Sequence, residues 1–444
     1  MIKINENLNQ EDSISQNQDL LHQTSEDNSI PKHNKKKWKD MWAAFKIPNF
    51  RWYWSAQFLS GIGTWAQAIA QSWLILNLTH SAVDLGIITM LQFAPMLLFS
   101  LFGGVIADMF PRRQLLILTQ FVLVVQAVIL GVLVFTHSIT ILEVGALALL
   151  LGLVNALNGP AQLAFVPELV GKDLVPNAVA LNSVQFNTAR MIGAAIGGIA
   201  IAAWGIPGAL FFNAISFIPA ICVLILIRPA FTIARTFLDH QTTILGLREG
   251  IIYAFNNISI RSIVIIFGII GLLGFNWQVA IPLIARLSLH QKVIEFGYLM
   301  AALGVGSLVG AIVQTRENSV SEKRIIGGGI VLGITLLLLG FSHSYIFSLI
   351  VLMIAGFSGM IATITTNTRL QLITPDKFRG RIMGIYVLLI GGTTPIGAFL
   401  FGEIAGYFNT GIALIIFGAI MILAITYVFA KDHSIKSNNV IDSI

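Results

Sequence analysis

The chain has 444 residues, of which 56% are hydrophobic and only 11% charged, and its mean hydropathy is +0.81. Soluble domains carry about a quarter charged residues, so an ordinary soluble enzyme or binding module is excluded. A net charge of +6 and a pI near 9.4 would suit nucleic acid, but no nucleic-acid motif accompanies them, and no nucleic-acid partner is expected.

Residues 1–37 are rich in Asn, Gln, Ser, Asp and Glu. They are too poor in large apolar side chains to bury a core, so a disordered cytoplasmic tail is expected. No apolar core follows a short basic start, which argues against a signal peptide. Residues 38–51 begin "WKDMWAAF" behind three lysines, a basic and aromatic pattern suited to a helix lying in the membrane interface. Twelve apolar runs follow, each near the 20 residues that cross a bilayer as a helix: 53–79, 83–107, 114–136, 139–163, 178–203, 206–228, 263–286, 295–315, 325–342, 344–367, 383–406 and 411–430. The expected fold is an all-α membrane protein of twelve transmembrane helices in two pseudo-symmetric six-helix halves, 52–228 and 263–430. A cytoplasmic linker, 229–262, joins them, and a cytoplasmic tail, 431–444, closes the chain.

Basic residues set the orientation. With the N-terminus inside, 24 of the 27 Lys and Arg fall on inner segments. Only Arg286 and Lys292 fall outside, and Arg190 lies within a span. The positive-inside rule then places both termini in the cytoplasm of a multi-pass protein in the cell inner (cytoplasmic) membrane.

The halves carry matching landmarks. Trp65 precedes Asp84 and Gly86 in the first half, and Trp277 precedes Glu295 and Gly297 in the second. Pro167-Glu168 and Pro375-Asp376 close spans four and ten. Together these argue for a duplicated bundle, whose binding site is expected near the midplane between the repeats.

Polar stripes mark several spans. Ser60, Thr64, Gln67 and Gln71 share one face of span one, at helical spacing. Asn155 and Gln162, flanked by Gly152, Gly159 and Asn158, do the same on span four. Span seven holds Asn276 and Gln278, and span ten holds Thr365, Thr366 and Asn367. Such residues either bond neighbouring helices or line a wet cavity. Arg190 lies about 18 Å along span five, near the midplane, at 1.5 Å per residue. It is either a structural partner for carbonyls or a distant carboxylate, or it faces a cavity beside Ser183 and Asn187. In the second case its planar fork suits the carboxylate or catecholate groups of an anionic substrate. Gly304, Gly306 and Gly310, and Gly327 to Gly329, are expected at close-packing positions.

No deep histidine, metal-ligand pattern or phosphate-cradling loop appears, so no enzyme activity, ATP hydrolysis, metal or cofactor is expected. The lone cysteine, Cys222, cannot form an internal disulfide.

"GGVIADMFPRRQ", residues 103–114, resembles the Gly-x-x-x-Asp-x-x-x-Arg-Arg loop of the major facilitator superfamily, with Gly104, Asp108, Arg112 and Arg113 in the matching places. From about Asn49 to Ala430 the chain is similar to the bacterial branch of enterobactin-type siderophore exporters and macrolide efflux proteins. The resemblance rests on "NFRWYWSAQFLSGIGTWAQAIAQSWLILNLT", "VPELVGKDLVPNAVALNSVQFNTARMIG", "LREGIIYAF" and "RLQLITPDKFRGRIMGIYVLLIGGTTPIGAFLFGEIAG". Three features depart from family patterns. The span-five signature, 193–198, lacks its proline; span four has no arginine; and the loop aspartate is not repeated, Ser319 standing at the equivalent place.

The resemblance implies an inner gate at Gly104, Asp108, Arg112 and Arg113, and a cavity lined by spans one, four, seven and ten. Substrate contacts are therefore expected from Arg190, Asn187, Ser60, Thr64, Gln67, Gln71, Asn155, Asn158, Gln162, Asn276, Gln278 and Thr366. No carboxylate lies near the midplane, so proton coupling is assigned to Glu143 or Glu403, or to the substrate's own protonation. The expected function is secondary active export of an anionic siderophore-like metabolite, by alternating access and proton antiport. A multidrug or macrolide pump is the alternative, and a non-transporting receptor or scaffold is the alternative of another class. The expected partners are a small-molecule substrate, protons and the lipid bilayer. The chain is expected to act as a monomer, with an outer-membrane efflux partner left open.

Overall fold

The computed structural model describes residues 40–228, 231, 240–316 and 321–441. The tail 1–37 and Trp38 lie outside these residues, as does part of the linker. The remainder of the basic–aromatic segment begins with a short 3-10 helix, Asp40–Lys46.

Long helices follow. Span one is Pro48–Thr79, span two Ala82–Met109, span three Arg112–Phe135 and span four Ile141–Val170. Val175–Leu226 contains spans five and six, divided at Gly205, whose φ of 71° suits a residue without Cβ. A linker helix, His240–Asn256, precedes span seven, Ile258–Ser288. Spans eight to twelve are Val293–Arg316, Glu322–Gly340, Tyr345–Ile373, Asp376–Tyr407 and Thr410–Ile441. Among the described residues, ten stretches are long and apolar enough to cross a membrane, and one of them holds both spans five and six. Span one has 32 residues, and its polar face lowers its hydropathy. The fold accommodates the twelve crossings expected.

Several boundaries differ from expectation by five residues or more, among them the end of span four at Val170 and the start of span eleven at Asp376, and two have a local cause. Span seven begins at Ile258 rather than 263, because the Asn257 side chain accepts a hydrogen bond from the Ile260 amide at 3.2 Å and caps the helix. The last helix continues to Ile441, since no glycine or proline interrupts it after residue 430.

Span seven is discontinuous. Its helix widens at Ile270–Gly274, breaks at Phe275 and Asn276, resumes at Trp277–Leu283 and widens again at Ile284–Ser288. The Asn276 side chain donates to the Leu272 carbonyl at 2.7 Å, competing for the acceptor that its own backbone would use in an α-helix. Gly397 of span eleven leaves room for it: a Cβ there would lie 2.5 Å from Asn276 Oδ1.

The halves meet at two glycine crossings. A Cβ on Gly86 (span two) would lie 2.9 Å from Gly402 Cα (span eleven), and one on Gly297 (span eight) 3.2 Å from Gly198 Cα (span five). Bare backbones therefore touch, as small residues permit between membrane helices. Gly86 and Gly297 are the equivalent landmarks of the two repeats. Spans one and seven also end alike, His80 and His290 both being left-handed at φ 54° and 50°. The duplication read from the sequence is thus expressed in backbone geometry.

Gly304 packs on Met191 of span five, and Gly306 and Gly310 pack on Met353 and Phe357 of span ten. Gly327 is the exception: a Cβ there would meet nothing within 4 Å, whereas Gly328 and Gly329 do meet neighbours. Three glycines in a row point in three directions around a helix, and one of them faces away from the packing seam.

Candidate functional site

The polar stripe of span one points largely into its own half. Gln67 Nε2 donates to Gln126 Oε1 of span three at 3.1 Å, and its Oε1 accepts from Asn213 Nδ2 of span six at 2.7 Å. Gln71 donates to Gln92 of span two at 3.2 Å. On span four, Asn158 accepts from Thr119 of span three at 3.1 Å. Gln67, Gln71 and Asn158 are therefore engaged as interhelical ties. Buried amides in a bundle satisfy one another because no water is available there. Ser60 is also buried, its carbonyl accepting from the exposed Thr64 hydroxyl at 2.9 Å. Gln67→Leu should lower stability by about 1–2 kcal/mol, since Gln126 and Asn213 both lose a partner. Thermal unfolding in detergent reads this, and an unchanged midpoint would mean that the tie adds nothing to stability.

Arg190 is held differently. Its Nη2 donates to Ser307 Oγ of span eight at 2.8 Å and to Asn187 Oδ1 at 3.3 Å. Its guanidinium carbon lies 5.9 Å from the ring centroid of Trp65 in span one, within cation–π reach. Trp65 in turn meets Phe186 edge-on at 5.8 Å. Asn187 donates to the Ser183 carbonyl at 2.9 Å, which aims its oxygen at Arg190. Ser307 donates to the Leu303 carbonyl at 3.0 Å, leaving its lone pairs for the arginine. Arg190 Nε is buried and has no hydrogen-bond partner among the described residues.

A fixed positive charge is thus held by neutral acceptors and a ring face, with its Nε–H unspent. It gathers spans one and five of the first half and span eight of the second. Sequence reasoning missed Ser307. The available signal was its place among Gly304, Gly306 and Gly310: the packing of Gly304 on Met191 brings span eight within reach of Arg190.

The hydrogen bonds of Arg190 among the described residues reach Asn187 and Ser307, and the other expected contacts are placed as follows. Asn155, Gln162 and Gln278 are half-buried. Asn276 is buried in the break of span seven, its Oδ1 without a partner among the described residues. Thr365 and Thr366 are fully buried, their hydroxyls likewise without a partner among the described residues, and Asn367 accepts from Gln371 at 2.6 Å.

Of the expected inner gate, the side chains of residues 100–108, Gly104 and Asp108 included, lie outside the described residues. Arg112 is buried, and its Nη1 donates to the Ala164 carbonyl and to Glu168 Oε1, each at 3.0 Å. Arg113 donates to the Leu224 carbonyl at 2.6 Å and to that of Ile225. These bonds join spans three, four and six within the first half, and Arg113 satisfies carbonyls left open at a helix end. Glu143 closes a capping box at the start of span four, where its Oε2 accepts from the Thr140 amide at 2.6 Å and from the Thr140 hydroxyl at 3.0 Å. Glu403 is exposed. Among the described residues no cluster of His, Cys, Asp and Glu could hold a metal ion.

Comparisons with known proteins identify the family and the fold. The sequence profile of a family described as transmembrane secretion effectors matches residues 39–443. The staphyloferrin A transporter of Staphylococcus aureus is 27% identical, with 85% of this chain and 95% of the relative aligned. The multidrug efflux pump Tap of Mycolicibacterium fortuitum is 26% identical over 79% and 87%. The enterobactin exporter EntS of Shigella boydii is 24% identical over 88% and 95%. Among solved structures, a POT family transporter in complex with a thioalcohol-conjugated peptide superposes with a TM-score of 0.70 at 11% identity, covering 87% of this chain and 96% of that one. The nucleoside transporter NupG gives 0.68 at 10% identity, covering 86% and 98%.

Proposed function

Because the chain belongs to the transmembrane secretion effector family of the major facilitator superfamily, and is therefore a multi-pass membrane transporter, we propose that it exports an anionic, siderophore-like metabolite from the cytoplasm. The single observation carrying this reading is Arg190: a guanidinium between the halves with a buried, unspent Nε–H. An arriving carboxylate or catecholate would take that donor and compete with Ser307 for Nη2, giving the paired contact that guanidinium forms best. Buried arginine is costly in a membrane unless it is paired or used. Two relatives named for staphyloferrin A and enterobactin support the same substrate class. The cycle is alternating access with protons as the counter-ion. The capping role of Glu143 favours protonation elsewhere, at Glu403 or on the substrate. Asp108 serves as an inner latch, and the basic face lies in the cytoplasm of the inner membrane.

A multidrug pump is the second reading, favoured by the similarity to Tap and by the Trp65–Phe186 ring pair beside Arg190. Profiling the culture medium of a strain lacking the gene tests the choice. Loss of an acidic chelator from the medium supports the proposal, whereas an unchanged medium with raised drug sensitivity supports the second reading.

The topology gives a separate prediction. A tag in the loop 290–293 should be reached by an impermeant label in intact cells, and one in the tail 431–444 should not. Equal labelling of both would contradict the assignment.

A further inference from the structure

We propose that Arg286 is the latch that closes the membrane face opposite the basic loops, tying the end of span seven to the end of span one through Asn77 and Trp73. Two independent observations lead there. The first is positional. Arg286 and Lys292 are the only basic residues on that face, against 24 on the other, and an arginine that works against the positive-inside bias calls for a local role.

The second is geometric. Arg286 Nη1 donates to Asn77 Oδ1. Its guanidinium carbon lies 5.2 Å from the ring centroid of Trp73. Trp73 also stacks on Phe296 of span eight, centroids 5.8 Å apart and planes inclined by 18°. Trp73 and Asn77 are one helical turn apart on a single face of span one. One turn of the first half is therefore gripped by spans seven and eight of the second, at the end of the bundle where Gly86 meets Gly402.

The ion pairs seen among the described residues of the basic face run between other elements. Among the described residues, Arg112–Glu168 lies within the first half, Arg369–Glu322 within the second, and Arg381–Glu249 joins the second half to the linker helix. The contacts of Arg286 and Trp73 hold the halves together at the Arg286 face, where they must part before that face opens. Arginine suits a releasable latch. Its planar head can donate to an amide and lie on an indole at once, and both contacts give way to water when the helices separate.

The role is tested without any substrate, so its failure is distinguishable from failure of the anionic-export reading. Spin labels are placed at Thr136→Cys in the first half and His343→Cys in the second, with Cys222→Ser, in protein reconstituted in lipid. Pulsed dipolar spectroscopy should show mainly the short distance of the closed face. Arg286→Ala should enrich a longer-distance population roughly tenfold, the effect of losing one hydrogen bond and one cation–π contact. Arg286→Lys should fall between, keeping the charge without the planar fork. Asn77→Ala and Trp73→Leu should move the distribution in the same direction, and they carry the test where Arg286→Ala does not fold. An unmoved distribution in those two folded variants would overturn the proposal, as would a shift toward shorter distances.

Discussion

Arg190→Lys should leave the protein folded and inserted but cut the flux of anionic substrates at least about tenfold, because charge-assisted hydrogen bonds contribute roughly 1.5–3 kcal/mol each and the lysine head cannot reproduce the fork. Arg190→Ala should lose more, since it also leaves Ser307 and Asn187 without their donor. The informative comparison is between substrates. If Arg190 meets an anion, a neutral macrolide-sized compound should be affected several-fold less than a polycarboxylate. Equal loss for both, together with a lower protein level, would make Arg190 a structural residue. Ser307→Ala offers a control, because it removes the acceptor that crosses the halves and keeps the charge. Anion affinity should then hold or rise, as Nη2 no longer has that protein partner to leave.

A second large effect is expected at the glycine crossings. Gly198→Leu places side-chain atoms where Val293 O would lie 2.9 Å from the new Cβ, and Gly297 Cα 3.3 Å. Both obstacles are backbone, so the helices must separate. Overpacking of this kind costs typically about 1–3 kcal/mol, a shift of roughly five- to a hundredfold away from the closed arrangement, since every 1.4 kcal/mol is tenfold. Transport should fall by that order while each half keeps its own packing. Gly402→Leu should do the same across the symmetry-related crossing, where Gly86 Cα is 2.8 Å from the new Cβ. Flux assays beside thermal unfolding check this. Full flux in both variants would show that backbone contact between the halves is not needed for the cycle.

Much of this architecture could be read from the residues. Apolar runs of membrane-crossing length marked the spans, and matched landmarks such as Gly86 and Gly297 marked the repeat. The loop at 103–114 marked the superfamily that the family profile then matched. The onset of span seven at Ile258 and its interruption at Phe275 and Asn276 were less legible, because a run of apolar residues has no internal punctuation until caps and φ angles are known.

The site was legible in part for a different reason. Helical spacing gives the face on which a residue lies, but not which neighbour that face meets. Gln67 and Asn158 share stripes that could have faced a cavity, yet they meet Gln126, Asn213 and Thr119 of their own half. Arg190 stood out because its charge is expensive at that depth. Ser307 did not, because an isolated serine among glycines carries no signal until the helix opposite is placed. Arg286 was visible as one of two basic residues on the wrong side of the count, and its partners required the fold.

Flux into proteoliposomes under an imposed pH gradient tests the central claim most directly. Purified protein should carry a polycarboxylate or catecholate chelator against its own gradient when protons run the opposite way. That flux should collapse in Arg190→Ala, and a neutral macrolide should move far less. Robust macrolide flux with no chelator movement would contradict the anionic-export reading, and absence of any flux would contradict export itself.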